Sequence, residues 1–249
     1  MSSENSRRSE RHEGELPVSS RDVEVVRLVG RFRQMSARQI GSALFDGLAS
    51  ATPRERALKR LVERGYLVRL GRLVGGDGGG SAQYVYQLGR RGWTMLGKSG
   101  AYWAPRAVSL HTLAIADCFV RLRTELPIIG VELIEFRPEP GCHRVVGDVT
   151  LTPDAYVEIG DRQRGLKFAF WLEVDRGTEH SRTIREKCQR YWRAYGVWTD
   201  AYFPRVVFVV PDERRTRAIE AITSFGPREA RDLFEVCRIQ EAASVLLNR

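Results

Sequence analysis

The sequence predicts a mixed α/β (α+β) chain in two parts: a basic helical module closed by a β-hairpin, then a larger unit in which helices cover a mixed sheet. Three observations carry this. Apolar spacing is helical from Ser20 to Gly65, turns strand-like around a glycine-rich stretch, and from Val131 onward alternates between strands and helices. The net charge of +9 is lopsided, with 18 Lys+Arg against 10 Asp+Glu in residues 1–100 and 22 against 21 in residues 101–249. Thr52-Pro53-Arg54-Glu55 has the form of a capping box with proline at the first helical position, so the most basic helix also has the plainest start signal.

Residues 1–18 are rich in Ser, Arg and Glu, too apolar-poor to offset the entropy of ordering, and are expected to form a disordered tail. Ser20 is the expected N-cap of a first helix with Val23, Val26, Leu28 and Val29 as its apolar stripe, and Ser36 that of a second with Ile40, Leu44 and Phe45 inward. The third helix runs from Thr52 to Gly65. Its Ala57, Leu58, Leu61 and Val62 face inward and leave Arg54, Arg56, Lys59, Arg60 and Arg64 on the other sides. Strands at 66–74 and 82–89 flank a flexible tip at 75–81, and the hairpin carries Arg69 and Arg72. Three helices and a two-stranded wing resemble the winged helix-turn-helix plan over residues 20–97, in which the third helix enters the major groove and the wing tracks the backbone. A winged-helix DNA-binding domain is therefore expected over 19–100, with those seven basic residues as its DNA contacts. Its alternative is a winged helix used for protein contacts.

A closing helix and linker precede the second unit, assigned to 108–249. Expected here are a mostly buried helix at 109–123, strands at 131–136, 154–159 and 167–174, a helix at 181–196, a strand at 205–210, a helix at 212–224 and a short strand at 234–239. That order gives a mixed sheet with helices on its faces.

Composition excludes several classes. No apolar run approaches a membrane span, the N-terminus is polar throughout, and the four scattered cysteines lack metal-site or redox spacing, so a cytoplasmic protein with reduced thiols is expected. GGDGGG lacks the lysine ending of a phosphate-binding loop and precedes a strand. The basic first part points to a polyanion, and double-stranded DNA is the first partner expected. Replication or relaxase proteins and a second copy of the chain follow, and a membrane is not among the partners.

The chemistry concentrates between Pro153 and Tyr191. Asp154 opens one strand, Glu173 and Asp175 close the next, and Lys187 with Tyr191 lies on the following helix. Isolated buried carboxylates are costly, so acids ending a strongly apolar strand read as a site. Asp154, Glu173, Asp175 and Lys187 are the candidate catalytic residues, in the order and spacing that metal-dependent DNA cleavage needs, and Mg²⁺ is the expected cofactor, a hard cation that takes a few protein oxygens and keeps several waters. Lys187 has two readings: it turns to the acids, or it snorkels and pairs with Glu186 or Asp175. His111 either orients an acid or is satisfied structurally, and Thr178 and Ser181 are read as helix N-caps.

The element order and acids resemble the restriction-endonuclease-like fold with its PD…(D/E)xK signature, mapping Asp154 and Glu173 to the metal-binding acids. Asp175 stands where that signature has lysine, and Lys187 is its substitute from the helix, as in some members of that fold. The helical module, with His111 to Asp117, Pro153 to Ala155, Glu173 to Glu179 and Lys187-x-x-x-Tyr191, is similar to the replication-relaxation family over roughly residues 20–240. This resemblance implies a role in replication or DNA relaxation of a plasmid, phage or integrative element. Two functions remain: an Mg²⁺-dependent DNA-nicking protein, or a non-enzymatic DNA-binding initiator or regulator whose nuclease-like domain serves interactions.

Overall fold

The computed structural model describes residues 18–73 and 83–247; the expected tail, but for Val18, and the hairpin tip at 75–81 lie outside the described residues. The chain opens with α1 (Ser20–Phe32), capped by Ser19 rather than Ser20, because Ser19 is extended and its hydroxyl accepts from the Asp22 N–H. A short strand β1 (Gln34–Ser36) leads into α2 (Ala37–Leu44), whose Ser36 and Gln39 form a reciprocal capping box. In α3 (Thr52–Glu63) the expected box does not form. Ala51 already takes helical dihedrals, so the helix starts one residue early and Thr52 lies inside it, although proline does occupy the first turn.

The hairpin β2 (Leu67–Leu73) and β3 (Gln83–Leu88) pairs antiparallel, and β1 adds to the other side of β3. After α4 (Arg90–Met95), a long helix α5 (Leu110–Glu125) begins the second part. It continues with β4 (Val131–Pro138), a small hairpin of β5 (Arg144–Val146) and β6 (Val149–Leu151), then β7 (Ala155–Asp161), β8 (Leu166–Val174), α6 (Ser181–Gly196), β9 (Arg205–Val210), α7 (Glu213–Thr223), β10 (Phe234–Arg238) and α8 (Ala242–Leu247).

The fold is mixed α/β. Its central sheet has the order β10-β9-β8-β7-β4, parallel across β10-β9-β8 and antiparallel from β8 to β4. Strand alternation divides the core between two faces. Val157, Phe170, Leu172, Val174 and Val209 meet α5, α8 and the N-terminal helices in one cluster; Trp171, Val206, Phe208 and Val210 meet Ile184, Cys188 and Tyr191 of α6 and Ile219 of α7 in another. The first face joins both parts: Phe32 of α1 lies 4.9 Å from Phe119 of α5 and 5.7 Å from Phe136 of β4. Polar contacts follow the same seam. Gln34 bonds the Ala107 carbonyl and the Ser109 N–H, while Gln39 donates to the Leu113 carbonyl and to Asp117, each at 2.8 Å. Among the described residues no helix is long and apolar enough to cross a membrane.

Candidate functional site

β7 starts where β8 ends because the two run antiparallel, which brings Asp154 beside Glu173 and Asp175 at one end of the sheet. The Asp154 N–H donates to Leu172 O at 3.0 Å and its carbonyl accepts from Glu139 at 2.9 Å, so the entry to β7 is pinned on both sides. Its carboxylate is equally held: Oδ2 accepts from the Val174 N–H at 2.6 Å, and Oδ1 lies 2.9 Å from His111 Nε2 on α5.

Glu173 alternates with Leu172 and Val174 and so lies on the sheet face covered by α6. The inward stripe Ile184, Cys188 and Tyr191 packs α6 on the sheet, and Lys187 lies on the edge of that stripe. Lys187 turns inward. Its Nζ donates to Glu173 Oε2 at 2.8 Å and Glu179 Oε1 at 2.9 Å, while Glu186 pairs with Arg182 instead. Tyr191 donates its phenol to Glu173 Oε1 at 2.7 Å. Lys187 is only 16% exposed and Glu173 only 3%. Burial pushes the Glu173 carboxyl up to about 7, against the pull of Lys187 and with a further push from the Asp154 charge. Burial opposes the charge on Lys187, yet Glu173 and Glu179 together raise its ammonium above the usual lysine range. The Tyr191 phenol is raised well above its ordinary value, first by burial and then by Glu173. His111 is also raised, chiefly by its bond to Asp154.

Asp175 goes elsewhere. Its Oδ2 pairs with Arg215 of α7 and its Oδ1 accepts from the Gly177 N–H at 3.0 Å. Gly177 takes φ +77°, a left-handed turn that favours glycine and folds the chain back across the strand end. Arg215 Nη2 donates to the Glu179 carbonyl at 2.7 Å, so Asp175, Arg215 and the turn hold Glu179 where it meets Lys187. The other carboxylate oxygen of Glu179, Oε2, is buried without a hydrogen-bond partner among the described residues. Neither Thr178 nor Ser181 caps α6: His180 is its N-cap, with no side-chain bond, because Ser181 is already the first helical residue. Cys142 donates to Pro153 O at 3.0 Å, and burial pushes its thiol up to about 12, so it packs as an inert wall of the site.

Asp154, Glu173 and Lys187 are thus brought together, and Asp175 is set apart as an anchor. Sequence reasoning had no signal for Arg215, which pairs across 40 residues, and only a weak one for Glu179, which follows the glycine turn. Among the described residues, no group of three or more His, Cys, Asp or Glu is placed to hold a metal ion.

The seven basic candidates of the first part separate. Arg56 and Lys59 are exposed on α3, the latter 3.8 Å from Glu63. Arg60 is taken by Asp22, bonding both carboxylate oxygens at 2.7 to 3.0 Å. Arg54 is half-buried near Gly41 and 3.6 Å from Glu55. Arg64 lies over Tyr66, and Arg69 and Arg72 lie over Tyr84, 4.1 and 4.7 Å from its ring centre.

In a comparison with known families, the family model described as replication-relaxation matches residues 26–206. No curated protein and no solved structure matches the chain.

Proposed function

We propose that this chain, which belongs to the replication-relaxation family, is a DNA-binding protein of a mobile element that docks through a winged helix and hydrolyses a phosphodiester at Asp154, Glu173 and Lys187. Family membership supports a role in replication or relaxation of DNA. The observation that carries the hydrolytic reading is the inward turn of Lys187, which joins Glu173 and Glu179 at the strand ends beside Asp154. A half-buried cation held among acids is what a scissile phosphate meets in a charge-stabilising site. The exposed Arg56 and Lys59, and Arg69 and Arg72 over Tyr84, support duplex docking by α3 and the hairpin.

The residues fit Mg²⁺ in donor type. Glu173 is raised first by burial and further by the Asp154 charge, and Glu179 keeps a buried oxygen unpartnered, so Asp154, Glu173 and Glu179 offer hard oxygen donors of the kind Mg²⁺ takes. Bound there, the ion supplies activation of a water and charge stabilisation at the phosphate. His111 fixes the Asp154 carboxylate, Tyr191 fixes that of Glu173, and Lys187 supplies the positive charge.

A second reading rests on Asp175. The acid that stands at the signature's lysine position is bound to Arg215, an arrangement that serves the turn rather than a reaction. A nuclease-like domain kept for contacts with replication or relaxase proteins accommodates this equally well. Nicking of supercoiled plasmid in Mg²⁺ buffer separates the two: the hydrolytic reading expects relaxed product from the wild type and none from Asp154→Ala or Glu173→Ala with DNA binding retained. Wild-type nicking that survives both substitutions overturns the site.

A further inference from the structure

We infer that the outer face of α6, with the first turn of α7, is a second duplex-DNA surface that tracks phosphates toward the Asp154–Glu173 end of the sheet. This rests on the proposed DNA-handling function. The near-neutral charge of residues 101–249 conceals a separation: residues 176–223 hold ten Lys+Arg against six Asp+Glu, leaving 12 against 15 for the remainder. The acids of that segment are engaged or distant, with Glu186 on Arg182, Glu213 on Arg217, Glu179 on Lys187 and Asp212 capping α7.

Five arginines have no such engagement. Arg176, Arg185, Arg190, Arg193 and Arg214 make no ion pair, hydrogen bond or ring contact among the described residues, and all but Arg190 are exposed. Their placement is directional. Arg176 and Arg214 stand at the strand ends, where Gly177 comes against Pro211, while Arg185, Arg190 and Arg193 continue along α6, the last two lining an open groove with Glu186, Gln189 and Trp192. Arg190 lies one turn beyond Lys187 on the same edge of the helix. The 16-residue helix runs about 24 Å, roughly two-thirds of a duplex turn, so several phosphates of one strand lie within reach.

Unpartnered guanidinium groups on a protein surface pair through their planar fork with anions that present two acceptor oxygens. A phosphate backbone offers these at regular intervals, and the row ends at groups suited to phosphodiester chemistry. An acidic protein offers carboxylates without that regularity.

The test uses the full chain and a fluorescein-labelled duplex of about 25 base pairs, titrated between about 50 and 200 mM KCl, with Arg185→Ala/Arg190→Ala/Arg193→Ala compared with Arg56→Ala/Lys59→Ala. Each lost phosphate contact reduces the slope of log affinity against log salt by about 0.9. The triple variant therefore loses about 2.7 of slope, and its affinity falls about 40-fold less than the wild type's across that range. A triple Arg→Lys variant retains the slope, and unchanged thermal melting excludes misfolding as the cause. Should the wild type bind and Arg56→Ala/Lys59→Ala flatten the slope while the triple variant leaves it unchanged, the second surface is overturned and the first survives. A wild type that binds no duplex overturns both, and poly-glutamate competing as well as DNA overturns the assignment to DNA.

Discussion

Lys187 reaches from the second turn of α6 to within 2.8 Å of Glu173 at the end of β8, forming a buried ion pair that Tyr191 and Glu179 complete. Taking one member away strands the charge of the other, which costs about 3–5 kcal/mol, whereas replacing both removes the desolvation penalty as well. Lys187→Met is therefore expected to lose about 3 kcal/mol in urea unfolding, and Glu173→Gln/Lys187→Met to regain most of it. Additive losses in the double variant would show that the two side chains do not depend on one another.

Mg²⁺ gives an assay independent of turnover. A cation that binds only the folded chain stabilises it by about 2.7 kcal/mol at a hundred times its dissociation constant. At about 2–4 °C per kcal/mol for a chain of this size, the melting temperature of the wild type rises by roughly 5–10 °C. Asp154→Asn abolishes the shift, because it removes a ligand charge while keeping an oxygen toward the Val174 N–H. A wild type with the same melting temperature with and without Mg²⁺ leaves only the binding function.

The strands of the central sheet are legible because each is an apolar run bounded by turn residues, as with Phe168 to Val174 and Arg205 to Val210. What escapes the sequence depends on distant partners. β1 is three residues of mixed polarity that become a strand only because Gln87, Tyr86 and Val85 lie opposite them, and the contact of α1 with α5 joins Phe32 to Phe119, far apart in the sequence. The β5–β6 hairpin did carry a signal, Gly147-Asp148 between valine-rich runs, masked by its short arms. At the site, helical spacing is enough to place Lys187 on the edge of the inward face, but not to choose its partner. The choice of Glu173 and Glu179 over Glu186 or Asp175 follows from Arg182 and Arg215 having taken the latter two.

His111 makes part of the stability depend on pH. Its bond to Asp154 raises the imidazole above the ordinary histidine value, outweighing burial, so the protonated form is the one the fold favours. A group raised in the folded state contributes fully below its unfolded value, about 6.5, and that contribution fades as pH rises through the folded value. The stability gap between wild type and His111→Asn is expected to be wider at about pH 6 than at about pH 9. Equal gaps at both would mean that the imidazole holds Asp154 only as a neutral partner.

The bond between Arg60 and Asp22 predicts that two neighbouring basic residues of α3 behave differently. Asp22 is 2% exposed in its side chain, and Arg60 satisfies both of its oxygens from the opposite helix, tying α1 to α3. Arg60→Ala leaves a charged acceptor buried and unsatisfied, which costs about 2–3 kcal/mol. Arg56 has no such tie, and Arg56→Ala is expected to melt with the wild type while binding duplex DNA more weakly. Arg60→Ala should instead lower the melting temperature, and Asp22→Asn/Arg60→Met should recover part of the loss because no charge is then left unpaired. If Arg60→Ala melts like the wild type and reduces only the salt dependence of DNA binding, Arg60 is a phosphate contact and its bond to Asp22 contributes little to the fold.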